Sequence, residues 1–101
     1  MLEQKDNQKE TKMKQQFEEY LIKRGYAITT PRGNPSTVYD YPKRIEKVCE
    51  WENTNWAGLA TNIDAILAKY DIGGSKEKLG NKSHSAVINA LKRFSEFLKE
   101  R

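Results

Sequence analysis

The last twenty residues of the chain, 82–101, constrain the fold more than any other stretch. At 100° per residue the apolar side chains fall on one helix face, namely Val87, Ile88, Leu91, Phe94 and Leu98. The polar side chains fall on the opposite face, namely Ser85, Asn89, Lys92, Arg93 and Glu96. Because a helix with such a stripe needs other helices to cover it, this stretch predicts an all-α fold. It also leaves a partly basic helix face open to a partner.

Three earlier segments show the same helical periodicity. A first helix is predicted over residues 9–24, ended by Gly25, with the apolar residues Met13, Phe17, Tyr20 and Leu21. A second helix follows a loop over residues 26–35, and its stripe is Val38, Tyr41, Ile45, Val48 and Cys49. A third helix begins after Asn55, and its stripe is Trp56, Leu59, Ala60, Ile63, Ile66, Leu67 and Tyr70. No segment has the alternation of a strand, so we predict a single small orthogonal bundle of four main helices.

The helix ends leave some choices open. Either Ser36 or Asn34 can cap the second helix. Pro42 either kinks that helix or begins it, and the unbroken apolar spacing favours the kink. Residues 75–81 hold at most one helical turn, and Ser83 is the predicted cap of the last helix.

The size of the chain, 101 residues, fits one domain, expected over residues 9–101 behind a disordered tail at residues 1–8. No run of 18 apolar residues is present, and the first residues lack the apolar segment of a signal peptide. The single cysteine, Cys49, cannot form a disulfide within the chain. We therefore expect a cytoplasmic protein without a membrane partner.

The distribution of charge says more than its total of +4. Residues 75–101 carry seven basic and three acidic groups, whereas the remainder of the chain balances to zero. A local surplus of this kind favours a polyanionic partner such as nucleic acid. The alternative is a solvated face that promotes solubility, and charge alone does not separate the two.

Reactive side chains are too few for an active site. Cys49 lies on an apolar stripe, which is typical of a buried, inert thiol. His84, the only histidine, falls in the first turn of the last helix, where capping or packing is the commoner role. The pair Gly73-Gly74 lacks the surrounding pattern of a phosphate-binding loop. We predict that the protein is not an enzyme and has no catalytic residue, metal site or cofactor.

Basic and polar side chains of the last helix are the best candidates for binding, because lysine and arginine contact phosphates while arginine and asparagine also read base edges. Side chains from the loop and the second helix extend this surface if the two helices lie side by side. The predicted nucleic-acid contacts are Arg32, Lys43, Arg44, Lys82, Ser85, Asn89, Lys92 and Arg93.

Two segments resemble a known family. The run STVYDY at residues 36–41, followed by Arg44, Ile45 and Val48, is similar to the opening helix of the SAM-like core-binding domain of tyrosine recombinases (phage integrases). The run SHSAVINALKRFSEFL at residues 83–98 is similar to the last helix of that domain, including its L-K-x-F-x-x-F ending. The resemblance spans about residues 13–100.

The resemblance implies a SAM-like four-helix domain that clamps one side of DNA, with contacts near Lys43, Arg44, Lys82, Asn89, Lys92 and Arg93. The recombinase catalytic domain, with its arginine, histidine and tyrosine nucleophile, has no counterpart in this sequence, so strand cleavage and exchange are not expected. A fragment, a free-standing module and a relative with another purpose all remain open.

The leading hypothesis is a non-catalytic nucleic-acid-binding helical module from a mobile genetic element. The alternative is a small phage or plasmid inhibitor of host defence, of the anti-CRISPR kind, that binds a Cas nuclease or its guide RNA.

Overall fold

The computed structural model of the protein describes residues 2–34 and 36–101, with side chains from residue 10 onward in these ranges. The described residues form six helices and no strand, which confirms the predicted all-α small bundle. The helices are α1 (Leu2–Lys23), α2 (Thr37–Trp51), α3 (Trp56–Thr61), α4 (Ile63–Tyr70), α5 (Glu77–Gly80) and α6 (Lys82–Glu100).

An aromatic cluster at the centre of the bundle joins α1, α3 and α6. The ring centroid of Phe17 lies 5.4 Å from that of Phe94 and 6.1 Å from that of Trp56, with steeply inclined ring planes. Both phenylalanines are fully buried, and such edge-to-face pairs add to the free energy gained by burying apolar area. The predicted stripes of all four segments supply the remaining core, including Leu21, Ile45, Val48, Leu59, Ile66, Tyr70, Val87 and Leu91.

The helix α2 runs unbroken through Pro42, so the alternative of a helix that begins at Pro42 is wrong. Ser36 is its N-cap, with extended backbone, and its carbonyl oxygen accepts hydrogen bonds from the N–H groups of Tyr39 and Asp40. Asn34 instead lies in the preceding loop, where its carbonyl oxygen accepts a hydrogen bond from the N–H of Thr30 at 2.8 Å.

The start of α1 differs from the prediction. The helix begins at Leu2, and so includes residues 2–8, which the sequence predicts as a disordered tail. Apart from Leu2 these residues are polar, and they contain neither glycine nor proline, so nothing in them ends a helix and they carry no apolar periodicity that would indicate one. Met1 and the side chains of residues 1–9 lie outside the described residues.

The predicted third helix is divided into α3 and α4 at Asn62, whose backbone leaves helical geometry at φ −112° and ψ 22°. The Asn62 side-chain amide donates a hydrogen bond to the carbonyl oxygen of Gly58 at 3.1 Å. Asparagine side chains compete in this way with backbone hydrogen bonds, which is why they interrupt helices. The single turn predicted within residues 75–81 is confirmed as α5.

The beginning of α6 contains a left-handed turn. Ser83, His84 and Ser85 have φ values of 55°, 58° and 67°, so the prediction that Ser83 caps a regular helix is wrong. Asn81 flanks the helix instead, and its carbonyl oxygen accepts a hydrogen bond from the N–H of Ser85 at 3.0 Å. Regular right-handed helix follows only after Ser85, so Lys82 precedes the part of α6 to which the helical wheel applies.

Candidate nucleic-acid interface

A groove between α2 and the start of α6 brings together four basic side chains. Its volume is about 420 Å³, and we call it the basic groove. The lining residues are Lys43, Arg44, Lys47, Trp51, Lys82, Ser83 and Val87.

One side of the basic groove follows from the periodicity of α2. Lys43, Arg44 and Lys47 stand at i, i+1 and i+4, which places them on one side of a helix. Ile45 and Val48 lie on the other side and are fully buried. The burial of the apolar stripe thus fixes the direction in which the three basic side chains point.

The opposite side is set by the left-handed turn. Ser83 lines the basic groove directly, and Lys82 brings its Nζ atom to 5.8 Å from the ring centroid of Trp51. A cation at this distance is attracted to the face of an indole ring. Trp51 is half-buried, and its ring stacks nearly parallel to that of Tyr70, at 15° and a centroid distance of 6.2 Å.

Two of the four cations are partly neutralised. Arg44 pairs with Asp40 at 3.2 Å and Lys47 with Glu50 at 3.7 Å, both within α2 and both at the surface. No carboxylate of the described residues forms an ion pair with Lys43 or Lys82. The basic groove therefore keeps a positive surplus, which is the electrostatic condition for binding a polyanion.

The outer face of α6, where the binding surface is predicted to be centred, does not line the basic groove. Arg93 donates a hydrogen bond from Nη1 to the hydroxyl oxygen of Tyr26 at 3.2 Å, and its Nη2 atom lies 2.8 Å from Oε2 of Glu96. Its Nε atom is buried without a hydrogen-bond partner among the described residues. Arg93 therefore holds the loop after α1 against the bundle, and much of its charge is already compensated.

The other predicted contacts lie apart from the basic groove. Lys92 is 4.0 Å from a carboxylate oxygen of Asp71, and Asn89 is exposed on the same outer face. Ser85 ends the left-handed turn, and Arg32 is exposed in the loop after α1. Of the eight predicted residues, the basic groove gathers three, namely Lys43, Arg44 and Lys82.

Sequence reasoning missed Lys47 and Trp51 as members of the site. The spacing of four residues between Lys43 and Lys47 already indicates a shared helix face. Trp51 carries no comparable signal, because its position in sequence is equally consistent with the core, where the structure partly places it.

The Cys49 thiol and the His84 imidazole lie in different environments. Cys49 is buried, and burial is the main cause that raises its pKa to about 12, so the thiol is protonated at neutral pH. His84 is exposed in the left-handed turn. Across the described residues, no three His, Cys, Asp or Glu side chains gather closely enough to hold a metal ion. In that same part of the chain, every helix is too short or too polar to cross a bilayer.

In a comparison with known proteins, no protein-family model, curated protein or solved structure matches this chain.

Proposed function

We propose that the protein is a non-catalytic nucleic-acid-binding module that holds phosphates in the basic groove. The observation that carries this proposal is the convergence of Lys43, Arg44, Lys47 and Lys82 around one concave surface. Three of these cations are neighbours on α2, and the fold brings the fourth, Lys82 of α6, to the same surface. Lysine and arginine at such a surface contact phosphate oxygens and thereby position a nucleic acid without reading its sequence.

The resemblance to the recombinase core-binding domain supports nucleic acid as the class of partner. It implies DNA contacts near six residues, of which Lys43, Arg44 and Lys82 line the basic groove and Asn89, Lys92 and Arg93 do not. An origin in a mobile genetic element follows from that resemblance alone and stays a prediction.

The alternative role, an inhibitor that binds a Cas nuclease or its guide RNA, also stays a prediction. No feature of the described surface favours a nuclease as partner. Binding of a guide RNA in the basic groove would be one form of the function proposed here.

The test is the salt dependence of binding. Fluorescence anisotropy of a short labelled oligonucleotide is measured over a range of salt concentrations. If four cations each displace a counterion from a single strand, a plot of log K against log salt has a slope of about −3. No binding at low salt, or binding that does not change with salt, would contradict the proposal.

A further inference from the structure

We propose that the basic groove takes a single strand of DNA or RNA, with one unpaired base against Trp51 and the flanking phosphates against Lys43, Arg44 and Lys82. This inference rests on the proposed function and specifies its ligand. It is carried by the aromatic ring among the cations and by the concave shape of the surface.

Trp51 offers a stacking surface whose position is fixed. Its ring is backed by the ring of Tyr70, which is fully buried and belongs to the core. The part of the indole that remains accessible lines the basic groove next to Val87. An indole held in this way loses little side-chain entropy when a base stacks on it, and stacking is available to every base because each has a π face.

A duplex does not offer a base face to this ring. The faces of paired bases are covered by their neighbours in the stack, and only the base edges are open in the two grooves. Unpaired bases can turn outward and stack on an aromatic side chain. The contact with Trp51 is therefore possible for a single strand and is absent for a paired one.

The shape of the surface also disfavours a duplex. Many proteins that bind double-stranded DNA place a protruding helix or β-ribbon in one of its grooves. Here the basic side chains line a recess between α2 and α6, with Trp51 as its accessible apolar side chain; Val87 also lines the recess but is only 1% exposed. A strand of nucleotides can enter such a recess, with its bases toward Trp51 and its phosphates toward the cations.

Lys82 connects the stacking contact at Trp51 with the contacts to the phosphates. Its Nζ atom lies 5.8 Å from the Trp51 ring centroid and has no ion pair with a described carboxylate. A lysine ammonium group is a mobile point charge on a flexible stem. When a base stacks on Trp51, the adjacent phosphate comes within reach of Lys82, which then exchanges its contact with the ring for one with the phosphate.

The experiment follows the tryptophan emission of the whole chain on titration with three probes. These are a short single-stranded oligonucleotide, the duplex of the same sequence, and an abasic single strand of the same length. Trp56 is only 4% exposed, so it contributes a nearly constant background, and Trp51→Phe identifies the contribution of Trp51. Anisotropy of labelled probes gives the affinities independently of the emission.

We expect tighter binding of the single strand than of the duplex, with quenching that Trp51→Phe abolishes. The abasic strand should bind more weakly and without quenching, since it has the phosphates but no bases. Trp51→Leu, checked for native helicity by circular dichroism, should weaken single-strand binding by about 5- to 150-fold, the loss typical of one stacked base. The salt slope should stay unchanged in this variant, because the phosphate contacts remain.

Two outcomes would overturn the inference. Duplex binding as tight as single-strand binding, without tryptophan quenching, would contradict the single-strand assignment and leave nucleic-acid binding in the basic groove intact. Absence of binding by all three probes at low salt would contradict the proposed function itself.

Discussion

The carboxylate of Glu52 lies 2.7 Å from Nζ of Lys76, and this ion pair joins the end of α2 to the turn before α5. The other carboxylate oxygen accepts a hydrogen bond from Nζ of Lys69 at 2.8 Å. The hydroxyl of Tyr70 donates a third hydrogen bond to this group, also at 2.8 Å. Since the Glu52 side chain is only 10% exposed, the three donors replace the water that it has lost. This cluster holds α4 against α2 directly behind Trp51.

Replacement of Glu52 by glutamine should lower the free energy of unfolding by about 1–3 kcal/mol, because Lys69 and Lys76 lose their counter-charge at a partly buried site. Urea unfolding followed by circular dichroism measures this change. Glu50→Gln is the matched control, since its pair with Lys47 is exposed and worth at most about 0.5 kcal/mol. Equal losses in the two variants would contradict the structural role of Glu52.

The same cluster predicts a pH dependence of stability. Burial alone would raise the pKa of the Glu52 carboxyl, but the hydrogen bonds from Lys69, Lys76 and Tyr70 outweigh burial and lower the pKa from 4.5 to about 2. A carboxyl with a lowered pKa in the folded state stabilises the fold fully above its unfolded pKa. That contribution should be lost as the pH falls from about 4.5 to about 2.

The measurement is the difference in unfolding free energy between the unmodified chain and Glu52→Gln as a function of pH. We expect the difference to be largest near neutral pH and to shrink toward zero near pH 2. A difference that is constant over this range would show that the charge of Glu52 is not what stabilises the cluster.

Glu10 caps a helix to which it does not belong. Its carboxylate, on α1, accepts hydrogen bonds from the backbone N–H groups of Trp56 at 2.6 Å and Ala57 at 3.1 Å, at the start of α3. Glu10→Gln should cost about 1–2 kcal/mol of stability, the usual loss for a helix cap with a charge-assisted hydrogen bond. Glu19→Gln, at an exposed position of the same helix, should change thermal unfolding little. A result in which both variants melt alike would rule out the cap.

The left-handed turn predicts opposite effects of glycine at neighbouring positions. Ser85 has φ 67°, a conformation that costs a residue with a side chain about 1–2 kcal/mol and costs glycine nothing. Ser85→Gly should therefore leave the unfolding free energy unchanged or raise it by up to about 1 kcal/mol. Ala86→Gly, in the right-handed helix that follows, should lower it by about 1 kcal/mol. A comparable loss in both variants would mean that Ser85 is not left-handed.

The core could be predicted because burial follows periodicity. Phe17, Leu21, Leu91 and Phe94 stand at helical spacing, and all four are fully buried. The interruptions of the helices could not be predicted in the same way. The break at Asn62 and the turn at residues 83–85 depend on local backbone geometry. The apolar stripe continues across Asn62 without a change of spacing, and the turn precedes Val87, the first residue of the stripe of α6.

The candidate site was only partly predictable because charge counted along the chain differs from charge arranged on a surface. Residues 75–101 hold the whole surplus, yet Lys76 is bound to Glu52 and Arg93 to Glu96. Residues 26–55 are neutral in total, yet Lys43 lies in the basic groove while Glu46 faces Lys14 on α1. Tertiary packing thus separates positive from negative side chains that alternate in the sequence.

The location of the site is tested most directly by two double variants with the same change in net charge. Lys43→Ala with Lys82→Ala removes two cations from the basic groove, whereas Lys92→Ala with Lys99→Ala removes two from α6 outside it. The measurement is the slope of log K against log salt for a single-stranded oligonucleotide. The groove variant should bind more weakly, with a slope smaller in magnitude by about 1–2, and the α6 variant should keep the slope of the unmodified chain. An equal or larger change in the α6 variant would contradict the assignment of binding to the basic groove.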